Sequence, residues 1–317
     1  MQQTQPPNFL VELLLSFQGT TMNTTMTPNT TMTPNTTNMT TSHLSEPFRI
    51  ALITIYSLVL LVGTTGLTLM MSLLKSNIRS ITTIAFLNLI VAHFMFLLTV
   101  PFRLYYFIQK SWNLPHGLCK AVSAMVHIHM YVVFLIYAIV LMIRFLQYYK
   151  KTKRTEFYRR LHALGASAAL WFVLLLVMVP IVLTQYGKNN NNTSYEECFN
   201  FDNELENPTI YALNVILCMV VVVISCVQAC VQTIILTSLI RKYGPSSRFQ
   251  QEFWVQMKNF CFVLIMLICL MPYHLFRIYY LRNTTMLHNA NEVFLAITGL
   301  TCLDMLTFTG RGACKLC

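Results

Sequence analysis

Apolar residues gather into seven long runs, at about 50–74, 81–102, 121–143, 161–184, 209–240, 260–281 and 292–309, with short polar stretches between them. Each approaches or exceeds the ~20 residues that a helix needs to cross the hydrocarbon of a bilayer. The fifth run is longer than a crossing requires and is expected to extend past the membrane. The seventh is the weakest, short and interrupted by Asp304. The pattern predicts an all-α membrane protein, a seven-transmembrane helix bundle over residues 49–309. A region 1–48 precedes it and a short tail 310–317 follows. Seven buried helices of a soluble bundle would need a polar coat. This chain of 317 residues is 55% hydrophobic and only 10% charged, against about 25% charged in soluble domains.

Charge then orients the bundle. The net charge is +11, yet the cations follow topology and do not point to nucleic acid. Segments 75–80, 144–160, 241–259 and 310–317 hold two, seven, four and two lysines and arginines, fifteen of the chain's 22. Loop 185–208 has one lysine against Glu196, Glu197, Asp202, Glu204 and Glu206. Such asymmetry is the positive-inside pattern, with the N-terminus extracellular and the C-terminus cytoplasmic. Sequons agree: Asn23, Asn29, Asn35, Asn38, Asn191, Asn192 and Asn283 each begin N-x-S/T, and all fall in segments assigned outside. Within 1–48 the hexapeptide TTMTPN repeats, a Thr/Asn/Pro tract with nothing to bury. It is expected to be a disordered, glycosylated outer tail. The run Phe9–Phe17 is preceded by no lysine or arginine, so it is not taken as a signal peptide. The basic run from Lys150 to Arg160 serves topology first and also meets anionic lipid.

The ten cysteines sort by depth. Cys119 and Cys198 alone lie in outer segments, which face an oxidising compartment, so they form the expected disulfide. Cysteines within the spans are small packing residues. Cys314 and Cys317 lie just inside the membrane, open to palmitoylation or left as plain thiols. Arg144 follows Cys119 by twenty-five residues, roughly 37 Å of helix, about a full bilayer with its headgroup zones. A disulfide at the outer end of that helix is thus matched by a permanent cation at its inner end.

Asn88-Leu89, Trp112, Cys119, Arg144, Trp171, Cys198 and Pro272, in that order and at those spacings, are similar to the anchors of rhodopsin-like (class A) G-protein-coupled receptors. The resemblance covers about residues 49–309. It implies a receptor that passes an extracellular signal to a heterotrimeric G protein through Arg144. Several positions depart from the family pattern. Ile143 replaces the acid that usually precedes this arginine, His93 stands where the second span carries aspartate, and Leu270 replaces the tryptophan of Cys-Trp-x-Pro. Asp304-Met305-Leu306-Thr307-Phe308 replaces Asn-Pro-x-x-Tyr. Nine residues follow Phe308, too few for the family's inner amphipathic helix, as a truncated gene model would give. The fold survives such changes, but the usual activation switches come into question.

Candidate sites follow from these departures. Glu252 lies twenty residues before Pro272, about 30 Å along the sixth span and level with Arg144. It either pairs with Arg144 in the resting state or pairs with Lys258 or Arg248 as a solvated loop acid. The family pattern brings His93 and Asp304 together at mid-membrane, where family members hold a sodium ion. Histidine is a poor ligand for a hard cation, so a His93–Asp304 pair with loss of sodium regulation is expected; two separately satisfied groups are the alternative. Amine receptors place an aspartate seven residues after the cysteine of the third span, and here Val126 occupies that position. The outer half instead offers Lys120, His127 and Tyr131 on one helical stripe, Tyr273, His274 and Arg277 after Pro272, and Arg103 at the end of the second span. Arginine forms two-pronged bonds with carboxylate or phosphate, so the set suits an acidic small or lipid-like ligand. Against that, Arg103 can snorkel to headgroups and Arg277 can pair with Glu196 or Glu197. His127 and His129 point to different faces and do not chelate one metal. Gly63 and Gly66 allow close packing of the first span.

The sequence therefore describes a plasma-membrane receptor with an unknown extracellular ligand and a G-protein partner, not an enzyme, and no cofactor or metal is expected. A poorly signalling decoy or partner protein is the alternative kept open by the altered motifs. A transporter or channel would show polar pathways, broken helices or repeated halves, and none is found.

Overall fold

The computed structural model describes residues 45–74, 81–149, 165, 167–169, 171–172, 176, 198–199, 208–244, 250–282 and 284–306. Residues 1–44 of the outer tail, most of the fourth apolar run, every sequon except Asn283's flanks, Cys314 and Cys317 lie outside them, while residues 46–48 of the expected disordered tail are helical. Span 1 is the helix Glu46–Leu74. Span 2 comprises two helices, Ile81–Leu97 and Val100–Gln109. Span 3 is His116–Tyr149 and span 5 is Pro208–Tyr243. Span 6 runs from Gln251 to Tyr280 through a π-helical turn at Met266–Leu270. Span 7 is Thr284–Thr298 followed by the 3₁₀ turn Gly299–Leu303. Five of the described helices are long and apolar enough to cross a membrane. Most run past the limits set by hydropathy, because hydropathy marks the hydrocarbon depth while backbone hydrogen bonding continues into the headgroup zones.

Two interruptions have identifiable causes. Pro101 cannot donate a backbone hydrogen bond and disfavours helical geometry in the residue before it. Span 2 accordingly breaks at Leu98–Thr99, where Thr99 N–H bonds Phe96 O at 2.8 Å and the Thr99 hydroxyl bonds the same carbonyl at 2.7 Å. Pro272 has the same defect in span 6. The turn just before it widens into the π-helical segment, whose Met266, Cys269 and Leu270 are buried. Inserted turns of this type turn side chains toward new neighbours and cluster at functional positions.

The core contains Leu52, Tyr56 and Val59 of span 1, Leu89 and Phe96 of span 2, Val126, Met130 and Val133 of span 3, and Leu295 and Cys302 of span 7. Large apolar side chains such as Leu61, Ile216, Val223 and Ile268 are exposed, as helices that meet lipid require. Asn88 meets the described part of the fourth apolar run: its Oδ1 accepts from Ser167 Oγ at 2.7 Å and Trp171 Nε1 at 2.9 Å. At one end, Glu46 ties span 1 to span 2 by accepting from Arg49 and from Lys110 Nζ at 2.7 Å.

Both span-1 glycines are buried at close approaches. A Cβ at Gly63 would meet the flexible end of Leu97, whereas a Cβ at Gly66 would lie 3.0 Å from Met305 Cβ. Met305 is fully buried, so spans 1 and 7 would have to separate. Gly66→Leu is expected to cost roughly 1–3 kcal/mol or more from overpacking. A lowered thermal midpoint in detergent checks it, with Thr65→Ala at an exposed neighbour as the unaffected control.

Candidate functional site: buried polar networks at three depths

The middle network joins spans 2, 3 and 7. His93 Nε2 lies 3.2 Å from Asp304 Oδ2, and His93 Nδ1 lies 2.9 Å from His129 Nε2. Tyr137 donates its hydroxyl to Asp304 Oδ2, and that hydroxyl also lies 3.4 Å from Thr301 O. All four side chains are buried, His93 and Asp304 completely. Phe96 stacks on the His129 ring at 4.2 Å between centroids. An acid in such a place is costly unless paired, and two donors meet one carboxylate oxygen here. The donor set does not suit a sodium ion. It offers two imidazoles and one carboxylate, and one oxygen of that carboxylate already accepts two hydrogen bonds, where hard cations need several free oxygens. His129 and Tyr137 join this network from span 3; helical spacing shows which face of span 3 each occupies, not what it meets on another span.

The second network lies in the half of the bundle that carries the disulfide. Cys119 and Cys198 are bonded, with Cα atoms 6.0 Å apart. Next to it Phe199 adopts a positive φ of 71°, a rare conformation for a bulky residue. Its ring packs edge-on against Trp112 and Tyr106. The other face of this cluster covers Arg103, whose guanidinium carbon lies 4.3 Å from the Phe199 centroid. Arg103 corrects the sequence expectation: it neither snorkels nor faces an open cavity. It is fully buried and donates through Nη1 to Tyr56 Oη at 3.0 Å and Glu292 Oε2 at 3.3 Å. Burial without its carboxylate would be prohibitive. Glu292 stands at the first position of the weak seventh run, where hydropathy gives no sign of its partner.

Of the remaining ligand-set residues, the structure brings together those of spans 3 and 6. Tyr131 and His274 have ring centroids 5.9 Å apart, and Tyr273 and His274 5.2 Å. Arg277 donates through Nη1 to Asn291 Oδ1 at 3.2 Å and lies over the Tyr280 ring at 4.9 Å. Its charge reaches His127, His274 and Tyr273. His127 Nδ1 lies 3.1 Å from the Ser123 carbonyl, which leaves Nε2 to face its surroundings. Both ring nitrogens of fully buried His274 lack a hydrogen-bond partner. Lys120 is half-buried one stripe position from His127.

At the Arg144 end of span 3, the ion pairs among the described residues do not join Arg144 to Glu252. Glu252 is exposed in the first turn of span 6, where solvent and the helix N-terminus both favour a carboxylate. Uncharged groups fasten the neighbouring helices instead. Gln232 of span 5 donates to Gln256 Oε1 at 2.9 Å and to the Gln256 carbonyl at 3.1 Å. Asn259 donates to the same Oε1 at 3.2 Å, and Gln228 reaches the span-3 carbonyl of Ala138 at 3.2 Å. Arg144 itself is half-buried, one turn past the buried Leu141.

The profile described as 7 transmembrane receptor (rhodopsin family) matches residues 65–304. The chain belongs to that family. The receptor is 40% identical over 270 residues to human "Probable G-protein coupled receptor 141", covering 83% of this chain and 88% of that protein. It is 23% identical over 282 residues to mouse "Probable G-protein coupled receptor 34", covering 81% and 72%. Chicken "Lysophosphatidic acid receptor 6" is 31% identical over 127 residues, covering 39% and 40%. The chain is thus a multi-pass plasma-membrane receptor of the G-protein-coupled class. Apart from Tyr56, the residues of its three networks lie within the matched region.

Because Arg103 and Glu292 compensate each other in a buried site, removing one strands the other. Glu292→Gln or Arg103→Met alone is expected to destabilise the receptor by about 3–5 kcal/mol. The double variant should lose less than either single change. Thermal unfolding of the four proteins in one detergent tests this, and additive losses would mean the two residues do not act as a pair.

Proposed function

We propose that this receptor, with its N-terminus outside and its C-terminus in the cytoplasm, binds an acidic small or lipid-like ligand and passes the signal to a heterotrimeric G protein through Arg144. The observation that carries the ligand class is the Arg277 cluster. One arginine, fixed to Asn291 and Tyr280, projects its charge over His127, His274 and Tyr273 in the half of the bundle marked by the disulfide. Arg277 bonds a neutral amide and lies over an aromatic face, and a guanidinium suits an incoming carboxylate or phosphate. Lys120 and Tyr131 extend the same surface along span 3, and Val126 is apolar where an amine receptor has its aspartate. Arg103 belongs behind this surface, neutralised by Glu292. The name of the lysophosphatidic acid receptor among the similar proteins is consistent with a phosphate-bearing lipid. Orientation rests on the positive-inside distribution and the sequons.

Arg144 is the coupling residue in this reading. A half-buried cation at the end of span 3 opposite the disulfide is one of few groups able to bond the carbonyls of an inserted peptide. Its neighbouring spans are held by amide bonds that rearrange without separating charges, a rigid-body switch of low cost.

A lysophospholipid screen read by G-protein activation tests both halves. Arg277→Ala should reduce the potency of an active anionic lipid by about tenfold to a hundredfold, the loss of one charge-assisted bond or two. Arg144→Ala should remove the signal while leaving lipid binding in place. Equal potency in Arg277→Ala would take that residue out of the site. Full signalling without Arg144 would remove the coupling assignment, and no coupling under any condition would favour a decoy.

A further inference from the structure

The middle network obeys a hydrogen-bond arithmetic that its burial makes strict. Asp304 Oδ2 receives the Tyr137 hydroxyl and faces His93 Nε2, and His93 Nδ1 faces His129 Nε2. With Asp304 ionised, the 3.2 Å contact needs a hydrogen on His93 Nε2. A neutral His93 then presents Nδ1 as an acceptor, so the hydrogen in the 2.9 Å contact belongs to His129 Nε2. His129 Nδ1 is left as a lone pair, and it is indeed buried with no hydrogen-bond partner. The four groups therefore carry one net negative charge and end in one vacant proton acceptor.

We propose that this chain is a binding site for one proton, entered at His129 Nδ1 and spanning helices 2, 3 and 7. A proton taken from water by His129 Nδ1 releases the proton on His129 Nε2 to His93 Nδ1. The charge gained by His93 is then shared across the contact between His93 Nε2 and Asp304 Oδ2. One proton enters, none leaves, and the network changes from a net charge of −1 to zero. Every existing contact keeps one hydrogen throughout, so no buried donor or acceptor is abandoned along the way. A second proton would make the cluster cationic, with one hydrogen too many for its contacts.

The groups facing the site from each packed element are few. Span 2 presents His93, span 3 presents His129 and Tyr137, span 6 presents Cys269, and span 7 presents Cys302 and Asp304. Span 1 contributes the Val59 carbonyl, which faces the Cys302 thiol at 3.9 Å. These contacts bring no lysine, arginine or second carboxylate to the cluster, and the uptake of one proton takes its own charge from −1 to zero. The change reaches Tyr137. When Asp304 shares its charge with a protonated partner, its hold on the Tyr137 hydroxyl loses charge assistance. Tyr137 lies two turns before Arg144 on span 3, so loosening it from span 7 frees the helix that carries the coupling cation.

Two measurements decide the matter. Histidine side-chain ¹⁵N spectra of the full receptor should show His93 and His129 as neutral Nε2–H tautomers at about pH 8. On acidification toward pH 5, one shared step should move the His129 hydrogen to Nδ1. Independent titration of the two rings, an Nδ1–H tautomer of His129 at alkaline pH, or no step would overturn the site. Basal G-protein activation in membranes should rise as pH falls, by at most about tenfold per pH unit, the limit for linkage to one proton. His129→Gln keeps an N–H donor for His93 but accepts no proton, and it should abolish that rise; an unchanged pH response in the variant would refute the entry at His129. If the variant does not reach the surface, the wild-type spectra decide alone.

Discussion

One carboxylate buried at mid-membrane sets the terms for the bundle. Asp304 sits at zero exposure, where an ion without partners costs more than any packing nearby can return. Its solution is to draw in donors from two other spans, His93 and Tyr137, and through His93 a third ring, His129. Spans 2, 3 and 7 are thereby placed to within hydrogen-bond tolerance. The apolar packing around them has only to fill the space that this arrangement leaves, and Phe96 stacked on His129 and Gly299 against Phe96 do so.

The same logic repeats toward the disulfide with opposite charge. Arg103 is the buried ion there, and Tyr56, Glu292 and the Phe199 ring are its partners from span 1, span 7 and the loop fastened by Cys198. Between them the two networks fix span 7 at two depths through Glu292 and Asp304. Span 7 was the weakest apolar run in the sequence, and these bonds explain how a short and polar segment keeps a defined place. Its polar residues are the means by which it is held.

Legibility in the sequence followed the range of the forces involved. The apolar runs and the cysteine pair were readable because hydropathy and redox compartment act residue by residue. His93 and Asp304 were readable as a couple only because their positions both departed from a family pattern. Glu292, His129 and Tyr137 were not, since each looks ordinary on its own helix and meets a partner 36 to 189 residues away. Depth alone suggested the Arg144–Glu252 bridge. Two charges at equal depth satisfied a one-dimensional ruler, yet the exposed first turn of span 6 offered Glu252 water. Buried Gln232, Gln256 and Asn259 had already joined spans 5 and 6 without charge.

That substitution of amides for an ion pair bears on how the receptor rests. An ionic lock resists opening through a steep, distance-dependent attraction that must be overcome before the helices part. An amide set such as Gln232–Gln256–Asn259 can exchange partners one bond at a time, each step worth about 1 kcal/mol net. Ile143 also places no acid next to Arg144 in the sequence. Two turns up the same helix, Tyr137 is bonded to Asp304 of span 7. In the proton-site proposal, whatever alters the charge of Asp304 would act on Arg144 through span 3.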